Sequence, residues 1–132
     1  MVLGAEAVQI GSRFVCTPEA SSHINFKNRI AASNEGDNEL VLKKLTPVRL
    51  LKNEFYEAVK AAENECADTA ALNELLGRAR AKLGMFEVDL VNGELEIGQI
   101  SSVIDNIIPA KDVVQGIWNE FNTLLHGIGR LS

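Results

Sequence analysis

A glycine followed by a serine stands at the end of a short apolar segment, where backbone amides could bind an anion. Residues 7–10 read as a buried strand, and Gly11 and Ser12 break it shortly before a helical stretch. A glycine at the carboxyl end of a strand lets N–H groups approach an anion closely, and a serine hydroxyl can donate beside them. Such a loop is a common phosphate site. The alternative is a tight strand-to-helix turn that needs glycine only for its shape.

The cysteines and histidines do not form a second chemical motif. Cys16 and Cys66, together with His23 and His126, show neither C-x-x-C nor H-x-x-x-H spacing, so no zinc site is predicted. Both histidines stand near predicted helix ends, where surface residues are typical. Two cysteines in an acidic chain suit a reducing compartment, and we expect free thiols.

Length and composition predict one folded domain. The chain has 132 residues, of which 46% are hydrophobic and 23% charged. Its net charge of −5 argues against a nucleic-acid partner. No apolar run approaches the roughly 20 residues of a membrane span. The first residues lack the features of a signal peptide, so the sequence predicts a cytoplasmic protein.

The elements that must position the loop are mostly helices, with one or two short strands. Besides residues 7–10, which must find a pairing partner, only residues 40–42 are a further strand candidate. Caps, prolines and apolar spacing predict helices over about 17–23, 25–32, 46–65, 69–84, 98–104 and 109–127. The last helix is expected to face inward with Val113, Val114, Ile117, Trp118, Phe121, Leu124 and Leu125, which would form a core with Phe55.

The segment from Leu3 to Phe14 reads Leu-Gly-Ala-Glu-Ala-Val-Gln-Ile-Gly-Ser-Arg-Phe. It resembles the eighth strand and phosphate loop of the nitronate monooxygenase (2-nitropropane dioxygenase) family of FMN-dependent TIM barrels. That family includes the flavin-type enoyl-acyl-carrier-protein reductase. The stretches 19–29, 48–53 and 93–104 resemble later family segments, so the resemblance covers nearly the whole chain, in order.

The resemblance implies a flavin site. Gln9, Ile10, Gly11 and Ser12 fall where the family holds the FMN phosphate, with Gly11 and Ser12 supplying N–H groups. Arg13 is either a further phosphate ligand or a structural ion-pair partner, since a guanidinium serves both uses.

Gln99 stands in a late Gly-Gln motif of the same resemblance. It is either a hydrogen-bonding residue of the substrate pocket or a helix-capping or solvated amide.

The resemblance also implies that the chain is a C-terminal fragment of a (β/α)8 TIM barrel with its appended helical segment. Residues 1–32 would carry the last strand, the phosphate loop and the following helices, and residues 33–132 the helical segment. The first seven strands, the isoalloxazine-binding residues and the catalytic histidine belong to the part that is not matched. We therefore expect no catalytic residue here and no activity of this chain alone.

Two parent reactions agree with the resemblance: oxidation of alkyl nitronates by oxygen, or reduction of an enoyl thioester with NAD(P)H. The sequence does not separate them. A non-catalytic helical module that binds protein is the alternative of another class. An uncovered strand edge predicts self-association or pairing with the missing barrel portion.

Overall fold

The computed structural model describes residues 4–128 and is about half helical, with two short strands. The strands are β1 (Asn38–Val41) and β2 (Val48–Leu51). A 3-10 helix spans Gln99–Val103, and the α-helices are α1 (Ser12–Val15), α2 (Ile24–Ala31), α3 (Glu54–Asn64), α4 (Thr69–Leu76), α5 (Arg80–Met85) and α6 (Ala110–Ile128). The helix-rich character agrees with the prediction, whereas several boundaries differ.

The two strands form an antiparallel hairpin whose second strand has a partner on its other side. Asn38 lies opposite Leu51 in the hairpin. On the other side, the Leu51 amide donates to the Leu95 carbonyl at 3.0 Å, and the Ile97 amide donates to the Arg49 carbonyl at 3.1 Å. Strand β2 is thus hydrogen-bonded along both edges, which makes it the central strand of this region.

Neighbouring leucines of β2 belong to two different hydrophobic clusters. Side chains alternate between the two faces of a strand, so Leu50 and Leu51 point in opposite directions. Leu51 packs in the first cluster with Cys16, Phe26, Ile30, Leu95, Ile97 and Ile104. Leu50 packs in the second cluster with Val41, Leu42, Phe55, Tyr56, Val59 and Leu72. The hairpin therefore separates two cores, and the first contains residues from both halves of the chain.

Residues 7–10, predicted as a strand, carry no regular structure. Residues 4–9 are exposed, and Val8 retains 69% of its accessible surface. A strand needs a neighbour to satisfy its backbone, and none lies alongside this segment among residues 4–128. The apolar pattern is present, but the pairing that it requires is not.

The helix predicted over 17–23 is also wrong, because backbone carbonyls in this stretch accept hydrogen bonds from a buried lysine. Lys27 is only 4% exposed. Its ammonium group donates to the carbonyls of Thr17 and Ala20 at 2.6 and 2.7 Å. The Thr17 hydroxyl donates backwards to the Phe14 carbonyl at 2.9 Å and caps no following helix. A buried ammonium must be hydrogen-bonded, so these turns wrap around it.

Thr46 and Pro47, predicted to open the longest helix, precede a strand. A proline suits extended backbone as well as a first helical turn, and Val48 to Leu51 are needed between the two cores. The helix begins later, at Glu54, where the Asn53 side chain accepts from the Tyr56 amide at 2.9 Å. Its end near Glu65 agrees with the prediction.

The next helix begins as predicted but ends early. The Asp68 carboxylate caps α4 by accepting from the Ala71 amide at 2.8 Å. The helix stops at Leu76, before Gly77, and the predicted stop at Gly84 lies inside the separate helix α5. The apolar spacing did not show this break, because it continues through both helices.

The inward face predicted for the last helix is exposed. Helix α6 begins after Pro109, as expected, and its Val113 is buried. Trp118 is 59% exposed, and Val114, Ile117, Leu124 and Leu125 are exposed as well. The core with Phe55 that was expected to include Trp118 and Phe121 does not form. Within residues 4–128, no helix has the length and apolar character needed to cross a bilayer.

Two glycines bring α5 against the following turn. A Cβ on Gly84 would lie 2.7 Å from the Glu94 carbonyl oxygen and 2.9 Å from Leu95 Cδ2. A Cβ on Gly93 would collide with the backbone of Gly84. The turn itself is held by the Asp89 carboxylate, which accepts from the Asn92 amide at 2.7 Å. Glycine at both positions is therefore required by close backbone approach.

We predict that Gly84→Ala lowers the free energy of unfolding by about 1–3 kcal/mol, because the added methyl group overpacks this contact. Gly116→Ala, also in a helix, is the matched control, since nothing lies within 4 Å of its Cβ position. The control should be neutral or stabilising by up to about 1 kcal/mol. Urea unfolding followed by circular dichroism measures both, and equal effects would contradict the close contact.

Glu94 is a buried carboxyl group, 8% exposed, that borders a cleft of about 360 Å³ together with Glu96. Burial, and to a smaller extent the negative charge of Glu96, raises the pKa of Glu94 to about 7, while Arg80 opposes the shift. The native state therefore retains a proton that an unfolded chain releases near pH 4.5.

We predict that stability falls as the pH rises from about 4.5 to 7, by at most about 3 kcal/mol. Glu94→Gln should remove this decrease and should exceed the wild type in stability above pH 7. Glu96→Gln is the control that leaves the buried carboxyl in place and moves the upper end of the decrease to lower pH. Urea unfolding at several pH values tests this, and parallel profiles for wild type and Glu94→Gln would contradict it.

Candidate functional site

The loop at Gly11 and Ser12 forms a single turn that leads into α1. The Phe14 amide donates to the Gly11 carbonyl at 2.9 Å. Gly11 is exposed, its φ of −108° is accessible to any residue, and its Cβ position has nothing within 4 Å. Neither backbone conformation nor packing within residues 4–128 requires glycine here. The alternative of a turn that needs glycine for its own shape has no support from this geometry.

The amides of Gly11, Ser12 and Arg13 are free for a ligand. None of the three donates a hydrogen bond to another residue between 4 and 128, and no side chain caps the turn. Backbone N–H groups that lack a partner in the protein must donate to water or to a ligand. Three successive free donors beside an exposed glycine provide the donor set that an anion requires.

The Ser12 side chain faces the stretch that leads into the 3-10 helix. Its Oγ accepts from the Gly98 amide at 2.9 Å, which leaves the hydroxyl hydrogen available for a further acceptor. A Cβ on Gly98 would collide with this oxygen. Glycine at 98 therefore permits the close approach that holds Ser12 in place.

Gly11 and Ser12 border an open cleft of about 400 Å³ that Arg49 and Glu96 also line. The Arg49 guanidinium donates to the Asn38 side chain at 2.8 Å, and Asn38 donates to the buried Ser101 hydroxyl at 2.7 Å. This chain of hydrogen bonds positions one cation at the cleft. The exposed Glu96 carboxylate adds a negative charge to the same cleft.

Arg13 does not line this cleft. Its guanidinium donates to the Asn106 carbonyl at 3.0 Å and to the Asn106 side chain at 2.5 Å. This partner is a neutral amide and not the carboxylate of the expected ion pair. The use of Arg13 as a phosphate ligand stays a prediction.

The other predicted site residues lie apart from the cleft. Gln9 is exposed and Ile10 half-buried in the unpaired segment, and neither borders the 400 Å³ cleft. Gln99 is exposed and borders a second cleft of about 480 Å³, which shares Arg49 with the first. Arg49 was not predicted beside the loop at Gly11, because only the position of β2 brings the two residues to one cleft.

The histidines occupy structural or surface positions. His23 Nδ1 accepts from the Asn25 amide at 3.1 Å and caps α2. His126 is exposed near the end of α6. Among residues 4–128, no three side chains of His, Cys, Asp or Glu come together in a way that could hold a metal ion.

Most of this chain matches one known protein family. The family model described as nitronate monooxygenase matches residues 1–120. A probable nitronate monooxygenase from Staphylococcus saprophyticus is 34% identical over 82 residues, which represent 61% of this chain and 23% of that protein.

Solved structures agree with this result. FabK from Thermotoga maritima superposes with a TM-score of 0.89 at 30% identity, over 99% of this chain and 42% of that chain. A point mutant of the same protein gives a TM-score of 0.83 at 27% identity, over 99% and 39%. The chain thus spans less than half of the proteins that it matches. Because the family model covers most of its length, this polypeptide belongs to the nitronate monooxygenase family of FMN-dependent TIM barrels.

Proposed function

We propose that this chain contributes the FMN phosphate-binding loop of a nitronate monooxygenase-like oxidoreductase. The observation that carries the proposal is the set of three free amides at residues 11–13, beside a glycine that the fold itself does not need. A side chain at position 11 would occupy the space that an anion must enter to reach these donors. The residues present therefore fit a phosphate group.

The charges of the cleft support a phosphate ester more than a neutral ligand. Hydrogen bonds between N–H donors and an anionic oxygen are roughly twice as strong as neutral ones. Ser12 adds a hydroxyl donor, and Arg49 adds a positive charge to the lining of the same cleft. The negative charge of Glu96 repels a phosphate, so the attraction from the amide donors, Ser12 and Arg49 must exceed this repulsion.

Each residue has a binding role and not a chemical one. Gly11 would give access, the amides of Ser12 and Arg13 would orient the phosphate, and Gly98 would hold Ser12 in position. FMN, when bound, supplies the redox chemistry, because it accepts and returns electrons that protein side chains cannot. Gln9 and Ile10 would continue the backbone wall leading to the loop.

Oxidation of an alkyl nitronate is the reaction that the family match favours. The alternative is reduction of an enoyl thioester, as in the flavin-type enoyl-acyl-carrier-protein reductase, with NAD(P)H as the reductant. The specific observation in its favour is the superposition on FabK, with a TM-score of 0.89. Both reactions use the same phosphate loop.

The isolated chain is expected to be inactive in either reaction. An open cleft of about 400 Å³ holds a phosphate but does not enclose a flavin ring system, and ligand sites normally bury most of a ligand's surface. Neither His23 nor His126 borders the cleft. Assays of nitronate oxidation and of NAD(P)H-dependent enoyl reduction, with FMN added to this chain, should show no turnover above free FMN.

The sharpest test compares FMN with riboflavin, which lacks the phosphate. We predict that the chain binds FMN at least tenfold more tightly, because loss of charge-assisted hydrogen bonds costs about 1.5–3 kcal/mol. Titration followed by flavin fluorescence measures both affinities. Gly11→Val should abolish the preference, since its side chain fills the approach to the amides.

Gly116→Val is the matched control for that substitution. Gly11 and Gly116 both have empty space at the Cβ position, so the first side-chain atom of either valine meets no other atom of the described residues. The control should keep the preference for FMN. Equal affinity of the wild-type chain for FMN and riboflavin would contradict the phosphate loop, as would a Gly11→Val variant that still discriminates.

The opposite charges of the cleft give a second prediction. Arg49→Gln should weaken FMN binding several-fold, and Glu96→Gln should strengthen it by a similar factor, because only the sign of the removed charge differs. Both effects should shrink as salt is raised from 50 to 500 mM. The same fluorescence titration applies, and changes of the same sign in the two variants would rule out an anion in this cleft.

A further inference from the structure

The sequence contains a single asparagine that is followed by glycine, Asn92. Its exposed side chain lies in a turn, and the next residue, Gly93, is buried. An asparagine before glycine is the kind most prone to lose its side-chain amide, because glycine has no side chain to obstruct the approach of its own backbone nitrogen. Asparagine is accordingly among the residues that heat-stable proteins use less often. Asn92 is therefore the position of this chain at which such a reaction would begin.

The reaction needs only these two residues and water. The backbone nitrogen of Gly93, after losing its proton to hydroxide, attacks the side-chain carbonyl carbon of Asn92. The new C–N bond closes a succinimide ring, while the C–N bond of the side-chain amide breaks and its nitrogen leaves as ammonia, with a proton taken back from water. Water then opens the ring at either carbonyl, which leaves an aspartate or an isoaspartate. The sum is the gain of one water and the loss of one ammonia, without oxidation or reduction.

The turn at 89–93 holds both reacting groups in hydrogen bonds. The Gly93 amide donates to the Asp89 carbonyl at 2.9 Å, and the Asn92 side-chain amide donates to the Asp89 carboxylate at 3.2 Å. In addition, the Asn53 side chain donates to the Gly93 carbonyl at 2.8 Å. A backbone amide held in this way loses its proton only when the hydrogen bond opens. The attack on Asn92 therefore requires the turn to open first.

The Asp89 side chain is the group that keeps this turn closed. Its Oδ1 accepts from the Val91 amide at 3.1 Å and from the Asn92 amide at 2.7 Å. Hydrogen bonds to an ionised acceptor are stronger than neutral ones. By comparison, the Arg80 guanidinium contributes one bond to the turn, to the Asn92 carbonyl at 2.9 Å. Removal of the Asp89 carboxylate is thus the change that loosens the turn most directly.

We propose that Asn92 is a site of spontaneous deamidation, and that Asp89 limits the rate by keeping the 89–93 turn closed. In the folded chain the reaction proceeds through local opening of this turn and not through unfolding of the whole chain. The proposal goes beyond the flavin site and does not depend on it.

The isoaspartate product does not fit the contact between Gly93 and Gly84. It adds one carbon atom to the backbone just before Gly93, whereas the backbones of the two glycines are so close that a Cβ on either one would collide. Leu95 follows shortly after, and its carbonyl accepts from the Leu51 amide at 3.0 Å. A shift of Gly93 therefore reaches the pairing with β2, and we expect the isoaspartate form to unfold more easily.

The experiment incubates the whole folded chain in mildly alkaline buffer without flavin. Conversion at Asn92 is measured by the mass of the peptide that contains it, and chromatography separates aspartate from isoaspartate. Asp89→Ala removes the carboxylate that closes the turn, and Asp105→Ala, which changes an exposed aspartate outside the turn, is the matched control. Asp89→Asn retains a side-chain oxygen that accepts hydrogen bonds but removes its charge. The same chain unfolded in concentrated urea provides the rate of the open form.

We expect deamidation in the folded wild type to be at least tenfold slower than in the unfolded chain. Asp89→Ala should raise the rate in the folded chain at least threefold, Asp89→Asn by less, and Asp105→Ala should leave it unchanged within twofold. Because local opening exposes little surface, the wild-type rate should stay constant at urea concentrations below the unfolding transition. The isolated isoaspartate form should unfold at a lower urea concentration than the unreacted chain.

Equal rates in the folded and the unfolded wild type overturn the proposal, because they show that the turn gives no protection. Equal rates in Asp89→Ala and Asp105→Ala also overturn it. A wild-type rate that rises with urea in step with unfolding assigns the reaction to the unfolded chain, and this measurement decides the proposal even where Asp89→Ala fails to fold. An isoaspartate form as stable as the unreacted chain would contradict the effect on β2.

Discussion

The alternation of Leu50 and Leu51 on β2 is the constraint on which the rest of the fold depends. Because successive side chains of a strand point to opposite faces, two adjacent leucines reach two separate cores. One core gathers α2 and the stretch around Leu95, and the other gathers α3 and α4. A shift of one residue in the register of β2 would exchange these partners, so the hairpin determines where both halves of the chain lie. The same strand places Arg49 beside the loop at Gly11.

Polar groups inside the fold complete this arrangement. The Lys27 ammonium orders the turns after α1 by donating to two carbonyls, and those turns lead the chain from the loop to α2. Glu19 in the same turns accepts from the Ala110 amide at 3.1 Å. Hydrogen bonds from its own backbone amide and, to a smaller extent, from the Ala110 amide lower the pKa of the Glu19 carboxyl. The contact with Ala110 ties the beginning of α6 to the region that follows the loop at Gly11. The candidate site and the apolar helix are therefore connected through hydrogen bonds and not only through the chain.

Two features of the described residues have no packing partner there. Segment 4–10 has no strand partner between residues 4 and 128, and the apolar side chains of Val114, Trp118, Leu124 and Leu125 on α6 are exposed. Both are features that packing against further residues would bury. The chain spans only 42% of the FabK chain on which it superposes.

Local signals were sufficient where the determining contacts lie within a few residues. The caps at Asn53 and Asp68 lie within three residues of their partners, and the sequence predicted the second of them. The sequence also predicted that α6 starts after Pro109. The motif around Gly11 was likewise visible, because glycine, serine and an apolar run are adjacent in the chain. Tertiary structure decided what depends on distant partners. Thr46 and Pro47 precede a strand because both cores need β2, and the predicted helix over 17–23 is replaced by turns that hydrogen-bond Lys27. Trp118 is exposed because none of residues 4–128 packs over it. The sequence by itself determined the family, the main helices and the loop, and tertiary structure decided which apolar faces are buried, because burial depends on what else is present to cover them.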